Sequence, residues 1–220
     1  MTGDGTASRV APAAPAVPVA RPAGGAALRF YWGPMDCGKS TLALQIDYNQ
    51  ARQGRRGLVL TTIDRAGPAR LSSRIGLARD AIEVGGDLDL RELVRAQPAR
   101  TDYLICDEAS FYTVDQIEQL ADLVDHSDVD VYAFGLATDF RSELFPAARR
   151  LFELADEVER MQVRVLCWCG RPGLLNARVA DGAVVREGAQ VVIGDTVGDG
   201  VRYQVLCRRH HRSGDLGPVR

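Results

Sequence analysis

The stretch Gly33-Pro34-Met35-Asp36-Cys37-Gly38-Lys39-Ser40-Thr41 lies directly after an apolar run and directly before a helical pattern. Its spacing fits G-x-x-x-x-G-K-[ST], in which glycines let successive backbone N–H groups turn inward around phosphates while the next helix aims its positive end at them. Residues 33–41 are therefore expected to hold a nucleoside triphosphate such as ATP. Lys39 reaches the β- and γ-phosphates in this reading, and the Ser40 hydroxyl holds Mg²⁺. Lys39 is also the only lysine among 27 lysine and arginine residues. A chain that uses arginine wherever charge alone suffices keeps a lysine where a planar, forked guanidinium is too bulky, as it is inside a phosphate-wrapping loop.

In "YLICDEASF", Asp107 ends an apolar run, the place of the Mg²⁺-holding acid in phosphate-loop proteins. Glu108, one residue on, is the expected general base, able to take a proton from a substrate hydroxyl or from water. Phe111, Phe140 and Phe145 lie just past strand patterns, where a flat ring fits a ligand crevice. Residues 61–76 ("TTIDRAGPARLSSRIG") carry Arg65, Arg70 and Arg74 among Gly and Pro. That composition suits a mobile lid bringing a cation to a transferred phosphoryl group, and equally a solvated basic loop. These residues leave three functions open: phosphoryl transfer to a small molecule, a RecA-like ATPase coupled to a macromolecule, and a nucleotide-binding regulator without turnover. The chain lacks the extra basic or aromatic segments that motors use to track nucleic acid, which favours transfer.

A separate constellation lies near the C-terminus. The five cysteines are Cys37, Cys106, Cys167, Cys169 and Cys207. An odd number with three of them clustered reads as metal ligation in a reducing compartment, not as a disulfide framework. Cys167, Cys169, Cys207 and His210 supply three thiolates and an imidazole, the donor set of tetrahedral structural Zn²⁺, with His211 as an alternative to His210. Cys207 and His210 have comfortable spacing, whereas Cys167-Trp168-Cys169 demands a tight chelate turn. Cys37 and Cys106 read as packing residues.

The elements that must position these groups are legible as short apolar runs alternating with helical patterns. "LRFYW", "GLVLT", "DYLIC" (102–106) and "VDVYAFG" (129–135) read as strands buried on both faces, the style of a parallel sheet. The clearest helix opens on Thr113 with Gln116 three residues later, a capping box, and carries Ile117, Leu120, Ala121 and Val124 on one face. Such alternation predicts an α/β layered domain. Beyond about residue 165 the pattern breaks into short β-like pieces with Gly-rich turns and too few apolar residues for an independent core, so a metal clip is expected to stabilise a second, small unit. Of the first 27 residues, 17 are Ala, Pro or Gly without periodicity, which predicts a disordered tail.

A net charge of −2 gives no basic field for nucleic acid. No apolar run approaches the roughly 20 residues needed to span a bilayer, and a signal-peptide pattern is missing. A cytoplasmic protein with neither nucleic-acid nor membrane partner is the expectation.

Together these residues resemble the thymidine kinase family whose P-loop domain is followed by a zinc-bearing lasso domain. The motifs appear in family order across residues 28–212: "GPMDCGKST", "DR" and "SSRIG", "DEASF", "GLATDFRSELF", "LADEV", and "IGD", a tyrosine and "CRRH". The resemblance implies an α/β fold with a P-loop RecA-like parallel sheet, helices on both faces, and a small zinc-containing β lasso domain. It divides the chain into a tail (1–27), a kinase domain (28–165), the lasso (166–212) and a C-terminal tail (213–220). It implies transfer of the ATP γ-phosphate to the 5′-hydroxyl of thymidine, in nucleoside salvage for DNA synthesis. Glu108 then matches the general base, Asp107 and Ser40 the Mg²⁺ ligands, and Lys39 the phosphate cation. Met35 would meet the thymine methyl, with Phe111, Leu136, Phe140 and Phe145 walling the base. Val191, Val192, Ile193 and Gly194 would bind the base through backbone groups, with Tyr203 as the matching tyrosine. The resemblance further implies a homotetramer inhibited by thymidine triphosphate. Three positions depart from the family pattern: Ser110 stands where a glutamine follows "DEA", a threonine is replaced within "GRPGLLNAR" although Arg178 matches, and Cys167 and Cys169 are one residue closer than in C-x-x-C.

Overall fold

The computed structural model describes residues 25–62, 69–73, 76–190 and 200–218. Strand β1 (Leu28–Trp32) feeds the phosphate loop and helix α1 (Lys39–Arg52), which returns to β2 (Gly57–Thr61). A short hairpin, β3 (Arg70–Ser72) with β4 (Ala78–Asp80), precedes β5 (Ile82–Glu83) and α2 (Leu90–Arg95). Then come β6 (Tyr103–Cys106), a 3₁₀ turn (Ala109–Phe111), α3 (Val114–Ser127), β7 (Asp130–Gly135), α4 (Pro146–Leu154) and β8 (Glu157–Arg160). Six strands form one sheet in the order β5-β2-β6-β7-β1-β8, and every neighbouring pair is parallel.

The continuous apolar runs are explained by burial on both sides. Leu28 and Phe30 of β1, Leu104 and Cys106 of β6, and Val131 and Ala133 of β7 pack with Ile117, Leu120, Ala148 and Leu151 of α3 and α4. The alternate residues, Tyr103, Ile105, Tyr132 and Phe134, pack with Ala43 and Leu44 of α1 and with Leu71. This period of two, carried by strands with no polar face, forces helices onto both sides of the sheet. The expected capping box is present in full: Gln116 N donates to Thr113 Oγ1 at 3.1 Å and Thr113 N donates to Gln116 Oε1 at 3.0 Å.

A three-stranded antiparallel sheet follows, ordered β10-β9-β11, from β9 (Leu175–Ala180), β10 (Ala183–Val184) and β11 (Arg202–Leu206). Helix α5 (Arg208–Ser213) closes it. The fully buried apolar cluster here is Cys167, Ala177, Leu206 and Cys207.

Both termini of the described chain are packed. Ala27 N donates to Asp130 Oδ1 at 3.2 Å, and Leu216 O accepts from Gln204 Nε2 at 3.0 Å. Leu71 is buried under α1, and Arg79 of β4 forms an ion pair with the buried Asp47, which also accepts from Tyr103 Oη at 2.9 Å. Arg70 pairs with Asp80 at 3.6 Å, while Arg65 and Arg74 lie outside the described residues.

Candidate active site and metal centre

The phosphate loop leaves β1 at the carboxyl edge of the parallel sheet, the usual crevice of such sheets. Gly38 precedes α1 at φ +84°, a left-handed conformation that glycine adopts without strain. The first turn of α1 carries no acidic side chain, so nothing of its own neutralises the positive helix end. Lys39 is only 8% exposed, and its Nζ donates to Pro34 O at 3.0 Å and Gly33 O at 3.4 Å. Those two bonds hold the ammonium against the loop. Cys37 is fully buried against Gly33, where an added Cβ would lie 2.6 Å from Sγ, so both residues are fixed by packing.

The second part of the site comes from the end of β6. Asp107 is 4% exposed, and its Oδ2 accepts from Ser40 Oγ at 3.0 Å. Its other oxygen, Oδ1, is buried without a hydrogen-bond partner among the described residues. Burial pushes this carboxyl above the usual carboxylate range, opposed by the Ser40 hydroxyl and the Lys39 charge. A buried oxygen with an unused lone pair beside a serine hydroxyl is the donor set a hard cation takes. Glu108 sits at φ +52°, ψ +33°, left-handed backbone for a residue with a Cβ. Such strain clusters at functional sites, and here it turns the chain from strand into the 3₁₀ turn. Ser110 is buried, and its Oγ donates to Leu136 O at 2.6 Å, joining this turn to the end of β7.

The aromatic residues divide into two groups. Phe111 and Phe145 meet edge to face at 5.3 Å. Phe140 is 2% exposed and lies under the Arg178 guanidinium at 3.9 Å; Arg178 Nε in turn donates to Tyr203 Oη at 3.0 Å. Leu136, Phe140 and Phe145 share one connection between β7 and α4. The buried Asp139 carboxylate organises it by accepting from Arg141 N at 2.8 Å and Glu143 N at 3.1 Å. The small sheet reaches this region directly: Asn176 Oδ1 accepts from Met35 N at 2.9 Å, and His211 Nε2 lies 2.9 Å from Phe140 O. Val191, Val192, Ile193 and Gly194 lie outside the described residues.

The four expected ligands converge despite the short Cys167–Cys169 spacing. One donor atom from each of Cys167, Cys169, Cys207 and His210 lies within 4.8 Å of the others. Cys167 Sγ is 3.4 Å from His210 Nδ1 and Cys169 Sγ is 4.0 Å from Cys207 Sγ. The Cys207 thiol is pulled down, chiefly by the His210 backbone N–H, which favours the thiolate that binds metal. Three sulfurs and one imidazole at this spacing fit a tetrahedral metal. His211 is not a ligand candidate, because its ring turns toward Phe140.

Residues 26–211 match the family model "Thymidine kinase". A protein of that name from Streptomyces coelicolor is 57% identical over 190 residues, 84% of this chain and 88% of its own length. Another from Cutibacterium acnes is 54% identical over 198 residues, covering 88% and 92%. The chain belongs to the thymidine kinase family. A more distant thymidine kinase, from Agrobacterium fabrum, is 40% identical over 84% of this chain. Membership carries the use of ATP, and no observation favours a macromolecule-coupled ATPase or a regulator without turnover.

Asp139, Asn176 and Gln190 are site-supporting residues to which the sequence reading assigns no role, although Asp139 lies within "GLATDFRSELF" and Asn176 within "GRPGLLNAR". Asn176 meets Met35 across 141 residues and Gln190 meets Asp139 across 51, so no local pattern reveals those two, whereas Asp139 bonds the backbone N–H groups of Arg141 and Glu143, a local turn.

Proposed function

We propose that this protein transfers the γ-phosphoryl group of ATP to the 5′-hydroxyl of thymidine, giving the 5′-monophosphate for nucleotide salvage. The observation that carries the reading is the carboxyl edge of the sheet. There the lysine-bearing phosphate loop, the Ser40–Asp107 pair and the strained Glu108 converge beside the aromatic connection after β7. Lys39 places its charge on the β- and γ-phosphates, and the N-terminus of α1 supplies further positive potential. Ser40 and Asp107 would hold Mg²⁺, which would supply positive charge to the transferred phosphoryl group. Glu108 accepts the proton of the 5′-hydroxyl as that oxygen attacks phosphorus. Positioning and electrostatics, with no covalent enzyme intermediate, supply the rate.

Met35, Phe111, Leu136, Phe140, Phe145 and Tyr203 form the nucleoside pocket, with residues 191–194 closing on the base. Discrimination by fit around a methyl group is worth about 1–3 kcal/mol, so deoxyuridine is a poorer but real substrate. Residues 28–165 form the kinase domain and residues 166–212 a lasso that Zn²⁺ on Cys167, Cys169, Cys207 and His210 would hold together. The family resemblance supports a cytoplasmic homotetramer subject to inhibition by thymidine triphosphate.

The test is purified protein with ATP, Mg²⁺ and each deoxynucleoside in turn. Thymidine-dependent ADP release with formation of the 5′-monophosphate is expected. ADP release that ignores the nucleoside, or ATP binding without turnover, overturns the proposal.

A further inference from the structure

Arg178 on β9 is 5% exposed, and among the described residues it makes no ion pair. A buried guanidinium held by neutral partners is a costly choice for filling space, since an apolar side chain of similar volume carries no desolvation penalty. Its contacts indicate what the cation does there. Nε donates to Tyr203 Oη at 3.0 Å, Nη1 to Ala189 O at 3.0 Å and Nη2 to Gln190 O at 3.3 Å. The guanidinium carbon Cζ of the same group sits over the Phe140 ring, 3.9 Å from its centroid. Gln190 is tied a second time, through Nε2 to Asp139 Oδ2 at 3.2 Å, and Asp139 orders the connection that carries Phe140. One rigid fork therefore fixes a ring from the large unit, a phenol from β11 and two successive carbonyls.

We propose that Arg178 is a positioning residue for the nucleoside. It acts through Phe140 and Tyr203, and the assignment rests on the reading of those rings as pocket walls. None of its hydrogen bonds or ring contacts reaches the phosphate loop, so its effect falls on one substrate only. Lysine does not replace it. A single ammonium donates from one nitrogen, so it cannot reach three acceptors spread around the rim of a planar fork and cover an aromatic ring at the same time.

The experiment is steady-state kinetics of the full-length protein and its Arg178→Lys, Arg178→Met and Tyr203→Phe variants, with thymidine and ATP varied separately. Metal content and thermal unfolding are measured on the same preparations. Arg178→Lys and Arg178→Met should each raise the KM for thymidine about tenfold or more, the loss of one or more directed hydrogen bonds, while the KM for ATP stays within about twofold. Tyr203→Phe keeps the ring but removes the acceptor, and should give a smaller rise in the same KM alone. A thymidine KM within about twofold of wild type in Arg178→Lys overturns the proposal. So does a matched rise in both KM values accompanied by loss of metal, which marks a purely structural residue. If the Arg178 variants do not fold, Tyr203→Phe decides: an unchanged thymidine KM overturns the positioning role. A wild-type protein inactive toward thymidine removes the functional reading itself and this assignment with it.

Discussion

Replacing Lys39 tests the phosphate site most sharply, because the substitute can be the chain's own preferred cation. Lys39 is 8% exposed, so its charge acts through a poorly screening environment. For one unit of phosphate charge about 4 Å away at an effective dielectric constant of about 20, the attraction is about 4 kcal/mol. At about 1.4 kcal/mol per decade that corresponds to about a 10³-fold loss of kcat/KM for ATP in Lys39→Met. Lys39→Arg keeps the charge but not the shape. Its guanidinium must enter a loop where the ammonium is held between the carbonyls of Pro34 at 3.0 Å and Gly33 at 3.4 Å. We expect at least about a 10²-fold loss there as well, since a planar group needs room that the loop does not provide. The assay is thymidine-dependent ADP release across a range of ATP concentrations, with thermal unfolding to confirm an intact fold. Lys39→Arg within about tenfold of wild type would refute the steric argument. Lys39→Met at full activity would refute the phosphate-binding role altogether.

Other consequences can be measured directly. Glu108→Gln should lower kcat about 10²- to 10⁴-fold with little change in nucleotide affinity by titration calorimetry, as expected for loss of a general base. Elemental analysis of purified protein should find one zinc per chain, and Cys169→Ser should weaken metal affinity by at least about 100-fold and lower Tm. Stability should depend on pH through Asp130, which accepts from Arg55 at 2.6 Å and Arg29 at 2.9 Å. Burial alone would raise its pKa, but the hydrogen bonds from Arg29 and Arg55 outweigh burial and hold it below the usual range. A depressed folded value gives stability that is present above the unfolded value of about 4 and is lost as pH falls through the folded one. Asp130→Asn should therefore cost about 1–3 kcal/mol in urea denaturation at pH 7, and the difference from wild type should shrink steadily below about pH 4. A difference independent of pH would mean that the charge is not responsible.

Features encoded within a few residues were readable from the sequence. The capping box of α3 needs only Thr113 and Gln116, the phosphate loop is contiguous, and the metal ligands come as two close pairs, Cys167 with Cys169 and Cys207 with His210. The alternation of strands and helices predicts the sheet because apolar runs without a polar face have to be covered on both sides. The β3–β4 hairpin was hidden because one buried side chain, Leu71, gives no period amid arginines and glycines. The choice between His210 and His211 depends on the phase of α5 against its surroundings, and so on tertiary contacts. Asn176 and Gln190 act through partners brought near only by the completed fold, whereas Asp139 organises its own turn through Arg141 and Glu143.

The kinds of acceptor around the site follow one electrostatic rule. A triphosphate brings several negative charges, so a buried carboxylate beside it is costly unless it handles a cation; the buried Asp107 is placed for that role, whereas the loop's own Asp36 is exposed to solvent. Elsewhere the fold satisfies its buried donors with neutral acceptors. Met35 N, inside the phosphate loop, is met by an amide oxygen of Asn176, and the Arg178 fork is met by a phenol and two carbonyls. Asp139 is the exception in the connection carrying Phe140, and it is neutralised locally by Arg141 at 2.9 Å. An aspartate in place of Asn176 would also accept from Met35 N, but it would set an unpaired charge against the phosphates. On the proposed reading of the loop, the neutral amide satisfies Met35 N without adding negative charge beside the phosphates, so a hydrogen bond between the two units also bears on nucleotide binding.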